Sequence, residues 1–406
     1  MNVLVLNAGS SSLKFQLIAT DLDRIMENDD QRLCRGEIDH LGKEAEFTVH
    51  IGEYEHKKKE EILDLHAAVE KLLRWLTSKE TPAGVDAIGH RVVHGGELFS
   101  ESALITDDVL KGIQECVELA PLHNPNNIDG ILAARKAFGP ELPQVAVFDT
   151  AFHHTLPKHA YIYAIPYELY EKHRIRRYGF HGTSHRYVAH RYRQLCSVSR
   201  EQTNIITLHL GNGCSAAAIK GGYSVDTSMG MTPLEGLVMG TRCGDIDPSL
   251  VSVIAKEEKL ACSDVELLLN TRSGLLGVSG ISNDMRELQD ALHSDPDSRG
   301  GLAIDIFCHR ARKYIGGFLA AMAGADAVIF TGGIGEHSPF IRWRICQGLQ
   351  CAGLQLDHNA NEKTVGKEGR ISTEDSTLAA FCIPTDEELL IARDTVRCIL
   401  GQPHPS

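Results

Sequence analysis

Apolar residues fall into short runs broken by small polar turns, and the spacing between them switches between strand-like and helix-like. Residues 3–6 are a continuous apolar run ended by Asn7-Ala-Gly-Ser, and residues 13–18 resume as a second extended run. Residues 32–38 and 46–51 alternate apolar and polar positions, the period of a half-buried strand. Together these four segments predict an antiparallel meander. Lys57-Lys58-Lys59 reads as a solvated turn. Ile62, Leu65, Val69, Leu72, Leu73 and Leu76 recur at helical spacing and predict a helix over 61–77. Residues 87–93 read as a buried strand ending in Gly95-Gly96, 107–119 and 128–138 as helices, and 145–148 as a strand that delivers Asp149 at its carboxyl end.

The second half repeats this order. Residues 204–210 form an apolar strand, Gly211-Asn-Gly a turn, and 214–219 a second strand. Helices are predicted at 248–256, 264–270 and 302–323, then a strand at 327–330 that runs into Gly332-Gly333. DAIGHRVVHGG (86–96) and DAVIFTGGIGE (326–336) are the matching pieces of the two halves. The expectation is a duplicated α/β fold with a ligand in the cleft between the copies. A strand at 378–383 and a helix at 386–400 close the chain. Thr385 is placed to cap that helix, with Glu388 completing a capping box. The helix is expected to return to the first copy.

At 406 residues the chain exceeds one typical core, so two domains are expected. A net charge of −13 argues against nucleic-acid or anionic-membrane partners, which need a basic face. Local cations then have a local purpose, such as a small anion. The first residues lack a basic leader, and no run approaches the length of a membrane span. Eleven scattered cysteines with no C-x-x-C pair fit reduced, cytoplasmic thiols rather than a disulfide framework or a zinc site.

The densest chemistry is RYGFHGTSHRY (177–187), with two histidines, two arginines and two tyrosines around a Gly-Thr-Ser turn. A transferring phosphoryl group needs such density, because its catalysis is mostly positioning and charge stabilisation. Asn7-Ala-Gly-Ser-Ser-Ser lets backbone approach phosphate and supplies donors; the alternative is a polar hairpin turn, and the Walker spacing is absent. Residues 211–216 fit G-x-G-x-x-A, but the space before Gly221-Gly222 is too short for a dinucleotide-fold helix, so a hairpin turn is expected. Arg91 and Arg242 lie in Gly-flanked loops, where guanidinium forks suit carboxylate or phosphate. Asp149 and Glu387 suit a water-rich Mg²⁺; a cap or turn role for Asp149 and helix-dipole matching for Glu387 are the alternatives. His153, His154, His181 and His185 lack zinc-ligand spacing, so His181 reads as a donor to phosphoryl oxygens. His123 either caps the following helix or lines the site.

VLNAGSSSLKF (5–15), HRVVHGGE (90–97), FDTAFH (148–153), YGFHGTSHRYV (178–188), HLGNG (209–213), DTSMGMTPLEGL (226–237), GTRCGDIDP (240–248), GIGE (333–336) and PTDEEL (384–389) resemble the acetate kinases, in order along nearly the whole chain. The resemblance implies a duplicated actin-like and sugar-kinase (ribonuclease H-like) fold with its active site in the interdomain cleft. The first domain would be 1–150 plus 385–406, and the second, 151–384, would carry the nucleotide side and the homodimer contact.

It further implies ATP-dependent, reversible phosphorylation of acetate to acetyl phosphate by direct in-line transfer in the cytoplasm. Asn7 and Glu387 would help hold Mg²⁺, or Mn²⁺ in its place. Lys14, His209, Leu210, Gly211, Asn212 and Gly213 would line the ATP or ADP. So would Asp284, Met285, Arg286, Gly333, Ile334, Gly335, Glu336 and His337. Arg91 would hold the acetate carboxylate, with Val93, Leu122, Phe180 and Pro233 around its methyl group. Asp149 is the acidic catalytic position, and His181 and Arg242 would stabilise the phosphoryl group in flight. Acetate is already ionised near neutral pH, so Asp149 is expected to orient or to act through the metal rather than as a base. Three positions depart from the usual pattern: His337 and Asp386 where asparagine is common, and Cys243 where a small hydroxyl residue is usual. The competing readings are a propionate or butyrate kinase, a pyrophosphate-dependent enzyme of the same fold, and an actin-like ATP-driven switch protein.

Overall fold

Both strand–turn–strand patterns close as antiparallel hairpins, and each hairpin starts a mixed sheet. In this computed structural model, residues 1–9, 12–78, 84–121 and 123–403 are described. The chain divides into two compact units, Met1–His154 with Asp386–Ser406, and Thr155–Thr385.

In the first unit the strands are β1 (Asn2–Ala8), β2 (Ser12–Ala19), β3 (Gln31–Asp39), β4 (Lys43–Ile51), β5 (Tyr54–Ile62), β6 (Ala87–Val92), β7 (Ala103–Leu104) and β8 (Gln144–Phe148). They lie in the order β5-β4-β3-β2-β1-β6-β8-β7. The run β1 to β5 is antiparallel, whereas β6 is parallel to β1 and β8 is parallel to β6. The second unit holds β9 (Ile205–Leu210), β10 (Cys214–Lys220), β11 (Tyr223–Thr227), β12 (Ala327–Thr331), β13 (Gly369–Arg370) and β14 (Ala379–Cys382), ordered β11-β10-β9-β12-β14-β13. Here β10 is antiparallel to β9, and β12 runs parallel to both β9 and β14. The two five-strand cores, β3-β2-β1-β6-β8 and β11-β10-β9-β12-β14, therefore share one order. The matching segments 86–96 and 326–336 supply its fourth strand in each copy.

Alternation along β1 feeds two cores. Leu4 and Leu6 pack with Phe15, Phe47 and the helix Leu65–Leu76, while Val3 and Val5 pack with Ile391, Ala392 and Val396 of the helix Glu387–Ile399. Burying each such side chain contributes about 1.5–3 kcal/mol. The last helix approaches β6 closely because Gly89 has no side chain: a Cβ there would stand 2.5 Å from Thr395 Oγ1 and 2.8 Å from Ile391 Cγ2. Arg393 and Asp30, both almost fully buried, pair beneath that helix, and Arg393 Nη2 also donates to Asn28 Oδ1 at 2.6 Å.

Three local expectations change. Lys57–Lys59 lie inside β5, whose largely exposed charged side chains line the edge of the sheet and discourage further strand pairing. Residues 61–62 finish that strand, and the helix begins at Leu65 under an Asp64 cap that accepts from Ala67 N at 2.8 Å. The last helix is capped by Asp386, which accepts from Leu389 N at 3.1 Å, and not by Thr385. The Gly211–Gly213 turn leads into strand β10, as the hairpin reading expects and a dinucleotide fold would not allow. All eleven cysteines are free thiols. Among the described residues no helix is long and apolar enough to cross a membrane.

Candidate active site

In the first unit the carboxyl ends of β6 and β8 bring Arg91 and Asp149 together. Arg91 Nε donates to Asp149 Oδ1 at 3.0 Å, and Nη2 donates to Oδ2 at 2.5 Å. Glu387, in the first turn of the last helix, lies 3.8 Å from Arg91 Nε. Asp149 is buried, with 1% of its side chain exposed, whereas Arg91 keeps 21%. Burial works against the guanidinium charge, but Asp149 and Glu387 outweigh it and hold Arg91 above its ordinary value. Asp149 sits in a turn directly after β8, with both carboxylate oxygens accepting from Arg91. Asn7 lies near the carboxyl end of β1, in register with Lys14 of β2.

Two asparagines fix the loop after β6. Asn127 Oδ1 accepts from Val93 N at 3.0 Å, and its Nδ2 donates to Ala8 O at 3.1 Å. Asn124 Oδ1 accepts from His94 N at 3.1 Å and returns a bond to His94 O at 2.9 Å. Both are buried in the helix Asn124–Phe138, so the backbone beside Arg91 is tied to the end of β1 through satisfied amides. His123 stands at the start of this helix but makes no cap with its side chain. Leu122 falls outside the described residues.

In the second unit His181 starts the helix Gly182–Cys196 in the left-handed region, at φ 55°. That conformation costs roughly 1–2 kcal/mol for a residue with a Cβ. Its ring lies 4.3 Å from that of His209 at the end of β9, and its Nδ1 is 2.9 Å from Ser215 Oγ on β10. His209 Nδ1 is in turn 2.8 Å from Ser184 Oγ. Gly213 is the meeting point: a Cβ there would stand 2.7 Å from Arg242 Nη2 and 3.3 Å from His181 Cε1. Arg242 is held by a bond from Nη1 to Pro233 O at 2.6 Å. Phe180 is buried beside His181 in sequence.

Two other residues of the RYGFHGTSHRY stretch are tied into the surrounding structure. Arg177 donates to Thr227 O, Ser228 O and Met229 O at 3.0–3.1 Å and pairs with Glu235. His185 is fully buried between Ser215 and Thr207.

A cavity of about 880 Å³ opens in the second unit. Gly211, Asn212, Asp284, Met285, Arg286, Gly333, Ile334 and His337 line it, as do Pro339 and Phe340. The volume suits a nucleotide, and its wall mixes glycine backbone with apolar faces and a few polar groups. Asn283 Nδ2 donates to Asn212 Oδ1 at 3.1 Å. Arg286 grips Asp284, Nη2 to Oδ2 at 2.6 Å, and this hydrogen bond lowers the Asp284 carboxyl. His337 Nδ1 is 3.1 Å from Gly333 O.

Three other predicted residues of this unit, Leu210, Gly335 and Glu336, are buried. Leu210 is fully buried. Glu336 is buried and accepts from Gly332 N at 2.8 Å and Thr385 N at 3.1 Å. Gly335 O accepts from Arg342 Nη1 at 2.8 Å. Lys14 belongs to the first unit and pairs with Glu37 at 3.6 Å.

Arg342 escaped the sequence reading. It is fully buried and donates to Gly335 O, Glu336 O, Asn361 O and Thr364 O at 2.6–3.0 Å, clamping the end of the short helix Gly332–His337. Burial pulls its guanidinium below the ordinary value. Asn124 and Asn127 also went unnoticed; the N-P-N-N run is the one signal that marks them.

The acetokinase family profile matches residues 2–393. An acetate kinase of Solibacter usitatus (strain Ellin6076) is 64% identical over 414 residues, spanning 100% of this chain and 100% of that relative. Among solved structures, Porphyromonas gingivalis acetate kinase superposes with a TM-score of 0.91 at 42% identity, over 98% of this chain and 99% of that one. A propionate kinase from Francisella tularensis subsp. tularensis SCHU S4 superposes with a TM-score of 0.90 at 43% identity, over 97% of this chain and 98% of that one.

Proposed function

The chain belongs to the acetokinase family, and from that premise we propose that it transfers the γ-phosphoryl group of ATP directly and reversibly to acetate, giving acetyl phosphate and ADP. The observation that carries this reading is the meeting of Arg242 and His181 over Gly213, two residues from Gly211 in the wall of the 880 Å³ cavity. A nucleotide in that cavity is held by Asn212, Asp284, Arg286 and His337, and Arg242 and His181 then donate to its transferring phosphoryl oxygens. Donors aimed at developing charge are the main catalytic resource of phosphoryl transfer.

On the acetate side, Arg91 receives the carboxylate and Val93 flanks the methyl group. Acetate attacks as its anion, so no base is needed. Asp149 keeps the Arg91 fork aimed.

Mg²⁺, or Mn²⁺ in its place, would be held by Asn7 and Glu387. Their amide and carboxylate oxygens are hard donors of the right kind, and a sparse protein set suits an ion that keeps waters and binds substrate phosphates. Among the described residues no cluster of three or more His, Cys, Asp or Glu offers a dedicated cage. The ion would supply neutralisation of phosphate charge. We further infer a cytoplasmic homodimer, with the second unit carrying the nucleotide and the contact between copies.

A hydroxamate assay for acetyl phosphate with ATP, Mg²⁺ and acetate tests the reading. Arg91→Ala is expected to raise KM for acetate, and Arg242→Ala to lower kcat by about 10³-fold or more. Parental rates in both variants would overturn it.

A further inference from the structure

Behind His181 runs a chain of buried groups that the proposed function does not use. Thr207 on β9, His185 on the helix Gly182–Cys196 and Ser215 on β10 are all fully buried. His185 Nδ1 is 2.7 Å from Thr207 Oγ1, His185 Nε2 is 2.8 Å from Ser215 Oγ, and Ser215 Oγ is 2.9 Å from His181 Nδ1. Among the described residues, His185 is the one side-chain partner of the Thr207 hydroxyl, and the two rings are the partners of Ser215 Oγ.

A serine hydroxyl carries one proton, so Ser215 donates to one ring and accepts from the other. That leaves two directions for the whole chain. In the first, Thr207 O–H donates to His185 Nδ1, His185 Nε2–H donates to Ser215 Oγ, and Ser215 O–H donates to His181 Nδ1. Every hydroxyl proton then has an acceptor, and the proton of a neutral His181 sits on Nε2. In the reverse direction His185 Nδ1–H donates to Thr207 Oγ1, which leaves the buried Thr207 proton without an acceptor. An unsatisfied buried polar group costs about 1–3 kcal/mol, so the first direction dominates by about fivefold or more. An imidazolium at His181 would donate from Nδ1 and force the reverse direction. His209 on β9 lies beside this ring, and Arg242 approaches the same Gly213 position.

We propose that Thr207, His185 and Ser215 act as positioning residues, a one-way hydrogen-bond chain that holds His181 as a neutral imidazole with its proton on Nε2. That nitrogen lies on the Gly213 and Arg242 side of the ring, 3.4 Å from where a Gly213 Cβ would stand. The proposal rests on the reading of His181 as a donor to the transferring phosphoryl group.

The test combines long-range ¹H–¹⁵N correlation on ¹⁵N-histidine-labelled protein with steady-state kinetics, in the parent, Thr207→Val and Thr207→Ser. The His181 signals are identified by their loss in His181→Gln. The parent is expected to show His181 protonated on Nε2 and neutral at neutral pH. Thr207→Val removes the directional hydroxyl at nearly constant volume. It should bring a second His181 form, protonated on Nδ1, to about equal population, and lower kcat about two- to fivefold with both KM values nearly unchanged. Thr207→Ser should restore both readouts. A parent His181 protonated on Nδ1, or cationic, overturns the proposal. So does a Thr207→Val protein with the parental tautomer, or a Thr207→Ser protein as impaired as Thr207→Val. A fully active His181→Gln would instead sink the phosphoryl-donor reading, while the tautomer spectra would still judge the chain.

Discussion

Asp149→Asn separates an orienting carboxylate from a proton-abstracting one. The substitution keeps shape and one acceptor but removes the charge facing Arg91, and its amide N–H group meets the guanidinium N–H where an oxygen had accepted at 2.5 Å. A carboxylate about 4 Å from a guanidinium centre contributes about 4 kcal/mol at an effective dielectric near 20. Glu387, 3.8 Å from Arg91 Nε, remains to pair with it. Removing one partner of a buried pair ordinarily costs about 3–5 kcal/mol, and with Glu387 in reserve about 2–3 kcal/mol is expected. Arg91 then turns toward Glu387 and leaves the acetate position. The expected result is a loss of about 30- to 150-fold in kcat/KM for acetate, with KM for ATP within about twofold. Urea unfolding and initial rates over an acetate series measure both effects. A general base would behave differently: its loss would be recovered at high pH or by small added bases. Parental kcat/KM for acetate, or such recovery, would refute the assignment of Asp149 as the residue that aims Arg91.

Other outcomes follow from the same geometry. Gly213→Ala places a methyl 2.7 Å from Arg242 Nη2, so the guanidinium must move; kcat should fall about 10- to 100-fold while Tm barely changes, and a parental kcat would remove Arg242 from the site. Val93→Ala should improve propionate relative to acetate by about tenfold, since one methylene is worth about 1–3 kcal/mol; an unchanged ratio of kcat/KM would move the methyl pocket elsewhere. Burial holds His90 down at about 4 from 6.5, although its hydrogen bond with Gln144 at 2.7 Å pulls the other way. A depressed histidine stabilises the fold above its unfolded value, and that contribution, about 3 kcal/mol, is lost as pH falls from 6.5 through 4. The double variant His90→Leu with Gln144→Leu should therefore flatten the decline of stability over that window, as followed by urea midpoints.

Much of the fold could be read directly from the chain because strands such as β1, β6, β9 and β12 are rich in apolar residues and lead into glycine-containing segments. Such runs admit few alternatives, and Arg91 near the end of β6, Gly211 after β9 and Gly333 after β12 stand at their carboxyl ends. β5 was hidden because an edge strand with an open face carries charge at nearly every position, which looks like a solvated loop. The helix Gly332–His337 was hidden because glycines disfavour helix; its own Glu336 carboxylate accepts from Gly332 N at the start, and Arg342 donates to the carbonyls of Gly335 and Glu336 at the end. Thr207 and Ser215 act through partners distant in sequence, so their neighbours in the chain give no sign of their work, and Asn124 and Asn127 are marked only by the N-P-N-N run. The left-handed backbone of His181 was not legible, since that conformation is imposed by surrounding structure and not by histidine.

The closing helix has a consequence for biosynthesis. Residues 155–385 form one uninterrupted stretch and can fold as soon as they emerge from the ribosome. The earlier-made unit must wait, because Ile391, Ala392 and Val396 complete the core around Val3, Val5 and Val147. A polypeptide whose translation stops short of this helix leaves a greasy, unfinished layer exposed and also lacks Glu387. Truncated products are thus marked for chaperones and proteases by the same omission that removes a carboxylate from beside Arg91.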